Sequence, residues 1–146
     1  MTASTVILDD RLLLRVLLDG AADQLLEHPT YTTGLWYHRL ARAIADPGIR
    51  GSLTRLVDGD PAGRALVITG ALARLPDEVG LLSMRDLGWL MAELVADGVR
   101  LNLTSLEALA AAIHLGAEIH LSERGPNPNL IVAAARRGIP VRLVAA

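Results

Sequence analysis

The chain contains no cysteine, no lysine and no phenylalanine among its 146 residues. Without cysteine it forms no disulfide, no Cys-ligated zinc or iron–sulfur centre and no thiol nucleophile. Aromatic residues make up only 3%, whereas 51% of the residues are hydrophobic, so the expected core is aliphatic. No apolar run approaches the roughly 20 residues of a membrane span. Asp9 and Asp10 precede the first apolar helix, where a signal peptide would carry positive charge, so we expect a cytoplasmic protein that is not in a membrane.

Neither sign of charge is in large excess, since the chain has 14 basic and 16 acidic residues and a net charge of −2. A chain-wide basic surface for duplex nucleic acid is therefore excluded. The length fits one domain.

Short apolar runs alternate with helical patterns along the chain, which predicts an α/β fold with three αβα layers and a mainly parallel central sheet. Ser83 and Asn127 are predicted helix N-caps, and Gly98, Gly116 and Gly138 are predicted to end helices. Predicted strands cover residues 5–9, 79–82, 117–122 and 140–144, and predicted helices cover residues 11–19, 32–45, 84–97, 105–115 and 128–137. Residues 58–63 read as a loop, and residues 65–75 fit either a helix or a strand.

Acidic residues follow two of the predicted strands, at the edge where parallel sheets bind ligands. Asp9 and Asp10 end the first strand and Glu123 follows the strand 117–122, while Glu107 lies in the first turn of the helix from residue 105. Carboxylates gathered at one edge would hold Mg²⁺ or Mn²⁺, which activate water and clamp a phosphodiester. The same residues also have local explanations. Asp9 or Asp10 would cap a helix, Glu107 would complete a capping box with Thr104, and Glu123 would lie in a solvated turn.

Several stretches near the two ends of the chain carry a family resemblance, and the order of the predicted elements agrees with it. The stretches are Val6-Ile-Leu-Asp-Asp-Arg-Leu-Leu-Leu14, Leu103-Thr-Ser-Leu-Glu-Ala-Leu-Ala-Ala-Ala112, Leu115-Gly-Ala, Leu121-Ser-Glu-Arg124, Asn129-Leu and Ala133-Ala-Ala-Arg-Arg-Gly-Ile-Pro-Val-Arg142. They resemble PIN domains. The resemblance implies one PIN-like domain over residues 1–146 and favours a dimer. Family members with an intact site are metal-dependent ribonucleases, and many bacterial ones are toxins neutralised by a small partner protein.

The resemblance also implies a site of four acids, of which three have counterparts here. Asp9 matches the first, Glu107 falls at the third and Glu123 at the fourth, so these three are the candidate catalytic residues, and Asp10 joins them as candidate metal ligands. The second acid would lie within residues 32–45, which contain no carboxylate. Arg39 lies there instead, and its positive charge predicts weak or absent binding of Mg²⁺ or Mn²⁺.

Basic and aromatic residues beside these acids are candidate contacts for RNA. The arginines in question are Arg11, Arg15, Arg39 and Arg124. Trp36 and Tyr37 would stack on bases, but neighbours on a helix point about 100° apart, which favours a core position for at least one of them. Trp89 is expected to pack against the core or to form an interface.

Three functional hypotheses follow. The first is a PIN-like protein with a depleted metal site that associates with RNA or with a partner protein and has little or no nuclease activity. The second is an active Mg²⁺- or Mn²⁺-dependent endoribonuclease, the toxin of a toxin–antitoxin pair. The third is a partner-binding domain with no role in nucleic acid chemistry.

Overall fold

The computed structural model describes residues 4–19, 28–46 and 69–145. Except that two helices follow one another between the third and fourth strands, the ten main helices and strands alternate within these ranges. They are β1 (Val6–Leu8), α1 (Asp10–Asp19), β2 (Thr30–Thr33), α2 (Gly34–Ala45), β3 (Val79–Leu82), α3 (Met84–Ala96), α4 (Leu103–Leu115), β4 (Glu118–Ser122), α5 (Pro128–Ala135) and β5 (Val141–Val144). Residues 69–73 are also helical, and the predicted loop 58–63 lies outside the described residues.

The five strands form one sheet in the order β3-β2-β1-β4-β5, and every neighbouring pair is parallel. β1 is the central strand, where Leu8 is in register with Thr32 of β2 and with His120 of β4. Helices flank the sheet, so the predicted α/β fold with three αβα layers is confirmed.

The two faces of β1 belong to different parts of the core, as the alternation of side chains along a strand requires. Val6 and Leu8 pack with Leu12 and Val16 of α1. Ile7 faces the other way, into the larger cluster that α3, α4 and α5 complete. The middle of α4 consists almost entirely of small or aliphatic residues, which allows the helix to be buried on most sides. Its buried residues are Ser105, Leu106, Glu107, Ala108, Leu109, Ala110, Ala111 and Ala112.

The predicted helix ends are largely confirmed. The Ser83 side chain accepts a hydrogen bond from the Arg85 amide at 3.1 Å, and the Asn127 side chain accepts one from the Leu130 amide at 3.2 Å. Glycines with φ values of +91°, +60° and +69° follow α3, α4 and α5 at positions 98, 116 and 138. Such positive φ angles are accessible to glycine without the steric cost that a Cβ would bring.

Three predicted boundaries are wrong, one of them the end of α5, which lies at Ala135 rather than at Arg137. Thr30–Thr33 is a strand, and the helix predicted from residue 32 begins only at Gly34, with Thr33 as its N-cap. α4 begins at Leu103 rather than at Ser105, because Asn102 is its N-cap and accepts a hydrogen bond from the Ser105 amide. The predicted capping box that ended at Glu107 therefore does not form.

The aromatic residues occupy contrasting positions. Trp36 is 2% exposed and lies in the core, as predicted for at least one of the two neighbouring aromatics. The Tyr31 ring crosses Gly80 on the adjacent strand so closely that a Cβ at position 80 would overlap the ring. Trp89 is 79% exposed, so it does not pack against the core, and its role in an interface stays a prediction. Its indole N–H donates to the Glu93 carboxylate one helical turn later.

None of the helices in the described ranges is both long enough and apolar enough to cross a membrane.

Candidate functional site at the carboxyl ends of β1 and β4

The direction in which the chain builds the sheet reverses between β1 and β4. The chain first adds β2 and then β3 on one side of β1, and it then returns to add β4 and β5 on the other side of β1. In parallel sheets, the carboxyl ends of the two strands at this reversal form the edge of a ligand-binding crevice. Asp9 follows β1 and Glu123 follows β4, so both of these predicted site residues lie at this edge.

Asp9 links three elements through its carboxylate and its backbone. It is 3% exposed, and its Oδ1 accepts a hydrogen bond from the Leu12 amide at 2.9 Å, which caps α1. Its Oδ2 accepts a hydrogen bond from the Ser122 amide at 2.8 Å, at the end of β4. The Asp9 amide itself donates to the His120 carbonyl at 3.2 Å. The side chain therefore holds the first turn of α1 against the end of β4.

The protonation of Asp9 reflects opposing influences. Burial raises the pKa of the Asp9 carboxyl above its ordinary value, because the charged form loses contact with water. The hydrogen bonds from the Leu12 and Ser122 amides each lower this pKa, but burial is the largest single influence and the net pKa is raised. The negative charge of Asp10 raises it further and the positive charge of Arg39 lowers it.

Asp10 and Arg39 form a two-pronged ion pair between α1 and α2. Arg39 Nε donates to Asp10 Oδ2 at 2.7 Å, and Arg39 Nη2 donates to Asp10 Oδ1 at 3.0 Å. The Arg39 side chain is 57% exposed and the Asp10 side chain is 16% exposed, so the pair lies at the rim of the molecule. The hydrogen bond to Asp10 raises the pKa of Arg39, which stays fully charged. A fixed positive charge thus lies beside the two aspartates.

Glu107 is held at the start of α2. It is 1% exposed, and its Oε1 accepts a hydrogen bond from the Leu35 amide at 2.8 Å. Leu35 is the second residue of α2, whose first amides have no partner within the helix and carry partial positive charge. The carboxylate therefore supplies the start of α2 with an acceptor from α4. No signal in the sequence around Glu107 identifies a partner 72 residues away.

Glu123 differs from the other candidate acids because its side chain is exposed. Its backbone is fixed, since its amide donates to the Val144 carbonyl of β5 at 3.0 Å. Within residues 4–19, 28–46 and 69–145, no three His, Asp or Glu side chains form a group that could hold a metal ion. Binding of Mg²⁺ or Mn²⁺ stays a prediction from the sequence.

The candidate RNA-binding arginines lie around the same edge. Arg11 lies against Gly125 in the loop after β4, with Nε 3.3 Å from the position that a Cβ would take. Arg124 is exposed in the same loop, and its amide donates to Ser122 Oγ at 3.2 Å. Arg15 is exposed on α1 one turn beyond Arg11. Together with Arg39, these residues give the acidic edge a basic rim.

Ser122 is a residue of this edge that sequence reasoning missed. It is fully buried, its amide binds Asp9 and its hydroxyl accepts from the Arg124 amide. Its only sequence signal is its position as the last residue of the predicted strand, immediately before Glu123.

No protein-family model matches the chain, and no curated protein matches it significantly. What the edge can do chemically follows from its own side chains. Each oxygen of Asp9 already accepts one backbone amide, as does Oε1 of Glu107. The accessible groups at the rim are the exposed arginines and Glu123. The guanidinium groups suit contacts with phosphate, whereas a single exposed carboxylate does not enclose a cation.

Proposed function

We propose that the chain is a PIN-like RNA-binding protein in which the acidic residues of the site stabilise the fold and little or no nuclease activity remains. The observation that carries the proposal is the two-pronged Asp10–Arg39 ion pair beside Asp9. A guanidinium group in this position neutralises one acid and repels a divalent cation. The resemblance to PIN domains implies a carboxylate in the segment that contains Arg39.

The bonding of the buried acids supports weak catalysis. Mg²⁺ needs a near-octahedral set of oxygen ligands and gives up its water shell reluctantly. Asp9 and Glu107 are 3% and 1% exposed, and their carboxylate oxygens accept hydrogen bonds from backbone amides. A cation would have to compete with these hydrogen bonds as well as with Arg39.

The basic rim supports binding of RNA. Guanidinium groups bind phosphate oxygens through two parallel hydrogen bonds, and Arg11 and Arg124 lie at the edge on two different elements. Arg39 is paired with Asp10 and adds only its charge beside them. Because the whole chain has a net charge of −2, attraction to RNA depends on local groups of arginines such as this rim and must weaken steeply with salt.

Fluorescence anisotropy with labelled single-stranded RNA tests the binding half of the proposal. We expect binding at low salt that the double variant Arg11→Gln/Arg124→Gln weakens, with the salt slope falling by about 0.7 for each phosphate that the variant no longer neutralises. Arg74→Gln is the matched control, because Arg74 is exposed and precedes β3, at the opposite end of the strands. No binding at low salt, or equal weakening in the control, would contradict RNA binding and favour a partner-binding domain.

Incubation of labelled RNA with Mn²⁺ tests the catalytic half. We expect no cleavage above background. The alternative, an active Mg²⁺- or Mn²⁺-dependent endoribonuclease, is favoured by the placement of Asp9 and Glu123 at neighbouring strand ends. Cleavage that Glu123→Gln abolishes would establish that alternative, and this exposed residue can be changed without disturbing the core.

A further inference from the structure

A second basic region lies in a cleft between the α3–α4 connection and α5. The cleft has a volume of about 520 Å³, within the range of small-molecule sites. Its lining comes from two separate stretches of chain, the connection after α3 and one side of α5 with the turn that follows.

Positive charge dominates the lining of the cleft. Arg100 comes from the connection, and Arg136 and Arg137 come from the end of α5, with Asp97 as the single acid. All three arginines are exposed, and none forms an ion pair within the part of the chain that the structure describes. The cleft therefore has a formal charge of +2 in a chain whose net charge is −2.

The helix dipole explains only part of this charge. Arg136 and Arg137 lie at the C-terminus of α5, where positive side chains are favourable. Arg100 belongs to a different stretch of chain, the connection after α3, yet it lines the same cleft. The backbone that carries it is well fixed, since the Val99 amide donates to the Leu94 carbonyl at 3.0 Å.

Apart from Asn129, the rest of the wall is apolar or glycine. Val99 and Leu101 pack against the core from the connection, while Val132 and Ala133 contribute from α5. Val132 is 51% exposed, so this wall is open to a ligand. Three guanidinium groups beside an apolar wall suit an anion that also carries an organic portion.

We propose that this cleft binds a small organic phosphate, such as a nucleotide or a sugar phosphate, through Arg100, Arg136 and Arg137. The guanidinium groups bind the phosphate oxygens, and the organic portion lies against Val99 and Val132. The site is independent of the proposed RNA-binding rim, whose arginines come from α1, α2 and the loop after β4.

Isothermal titration calorimetry with adenosine 5′-monophosphate, glucose 6-phosphate and inorganic phosphate tests this proposal. We expect at least one of the two organic phosphates to bind more tightly than inorganic phosphate. Arg100→Gln and Arg136→Gln should each weaken that binding about tenfold or more, since each removes a charge-assisted hydrogen bond. Arg85→Gln, an exposed arginine on α3 outside the cleft, should leave it unchanged.

Three results would overturn the proposal. They are no binding of any of the three probes at millimolar concentration, equal binding of inorganic and organic phosphates, and equal weakening by Arg85→Gln. RNA binding that depends on Arg100 would not rescue the proposal if no small phosphate binds. The RNA assay changes Arg11 and Arg124, which lie outside this cleft. A negative result in that assay therefore does not affect the test of small-phosphate binding.

Discussion

Asp9 and Asp10 are neighbours in the sequence, but they lie in different environments. Asp9 is buried and binds two backbone amides, one of them far along the chain at Ser122. Asp10 lies at the rim and binds the half-exposed Arg39. The comparison extends to Glu107, which is buried like Asp9, and to Glu123, which is exposed.

The difference shows that acidic residues at a sheet edge need not be ligands for a cation. A buried carboxylate that accepts backbone amides stabilises the fold, and its removal leaves donors without partners. A carboxylate at the rim contributes little stability, because solvent and salt screen its interactions. The two classes should therefore respond differently to substitution.

The largest effect is expected for Asp9→Ala. This change removes the cap of α1 and leaves the amides of Leu12 and Ser122 without acceptors, at a cost of about 3 kcal/mol in the free energy of unfolding. Urea denaturation followed by circular dichroism measures it. Asp10→Ala is the matched control and should cost about 1 kcal/mol or less. Equal destabilisation of the two variants would show that burial and backbone hydrogen bonds do not make Asp9 more important for stability than Asp10.

Glu107→Ala should come next, at about 2 kcal/mol, because the Leu35 amide is left without its acceptor and a buried side chain is truncated. Glu107→Gln keeps an acceptor oxygen of the same size and should cost about half as much. The same denaturation experiment separates the two. If the variants were equally destabilised, the hydrogen bond to α2 would not be the main contribution of Glu107.

The pH dependence of stability sharpens the account of Asp9. Because burial raises its pKa in the folded state, the folded chain binds a proton more readily than the unfolded chain. As the pH falls from above the folded pKa towards the ordinary value of 3.8, wild-type stability should rise relative to that of Asp9→Asn, which does not titrate. Denaturation of both proteins across this range measures the difference. A relative fall in wild-type stability would mean that the two amide hydrogen bonds outweigh burial.

The smallest effect is expected for Arg39→Gln. Since the Arg39 side chain is 57% exposed, removal of its ion pair should cost about 0.5 kcal/mol and less at high salt. Urea denaturation at low and high salt measures this cost. The comparison would fail if this variant were as unstable as Asp9→Ala.

Much of the fold could be predicted because its signals are local. Ser83 and Asn127 cap helices through amides two or three residues away, and Gly116 ends α4 by adopting a positive φ. Such interactions depend only on nearby residues, so the sequence around them contains the necessary information. The apolar runs that became β1 and β3 are similarly self-contained.

The missed strand β2 has a different cause. Its sequence is rich in threonine. The buried Thr32 hydroxyl donates a hydrogen bond to the Leu8 carbonyl of β1 at 3.0 Å, which offsets the cost of burying a polar group. Thr33 is buried at the start of α2, where it caps the helix. Polar residues whose hydroxyls bind backbone on another element do not produce the apolar pattern of a buried strand.

The candidate site could be predicted only as positions along the sheet edge. Topology places residues after parallel strands at one edge, which correctly located Asp9 and Glu123. The bond from Glu107 to Leu35 and the ion pair from Asp10 to Arg39 join residues 72 and 29 positions apart. Their geometry depends on how α2 packs, which no local pattern reports.

The hydrogen bond from Ser122 to Asp9 spans 113 positions. During synthesis on the ribosome, β1 emerges early but lacks one of its two neighbouring strands until residues 118–122 follow. Until then its edge facing β4 is open, and one oxygen of Asp9 has no backbone partner from β4. Completion of the central sheet therefore waits for the synthesis of β4, and a ribosome stalled before residue 118 would carry an unfinished sheet with an exposed edge.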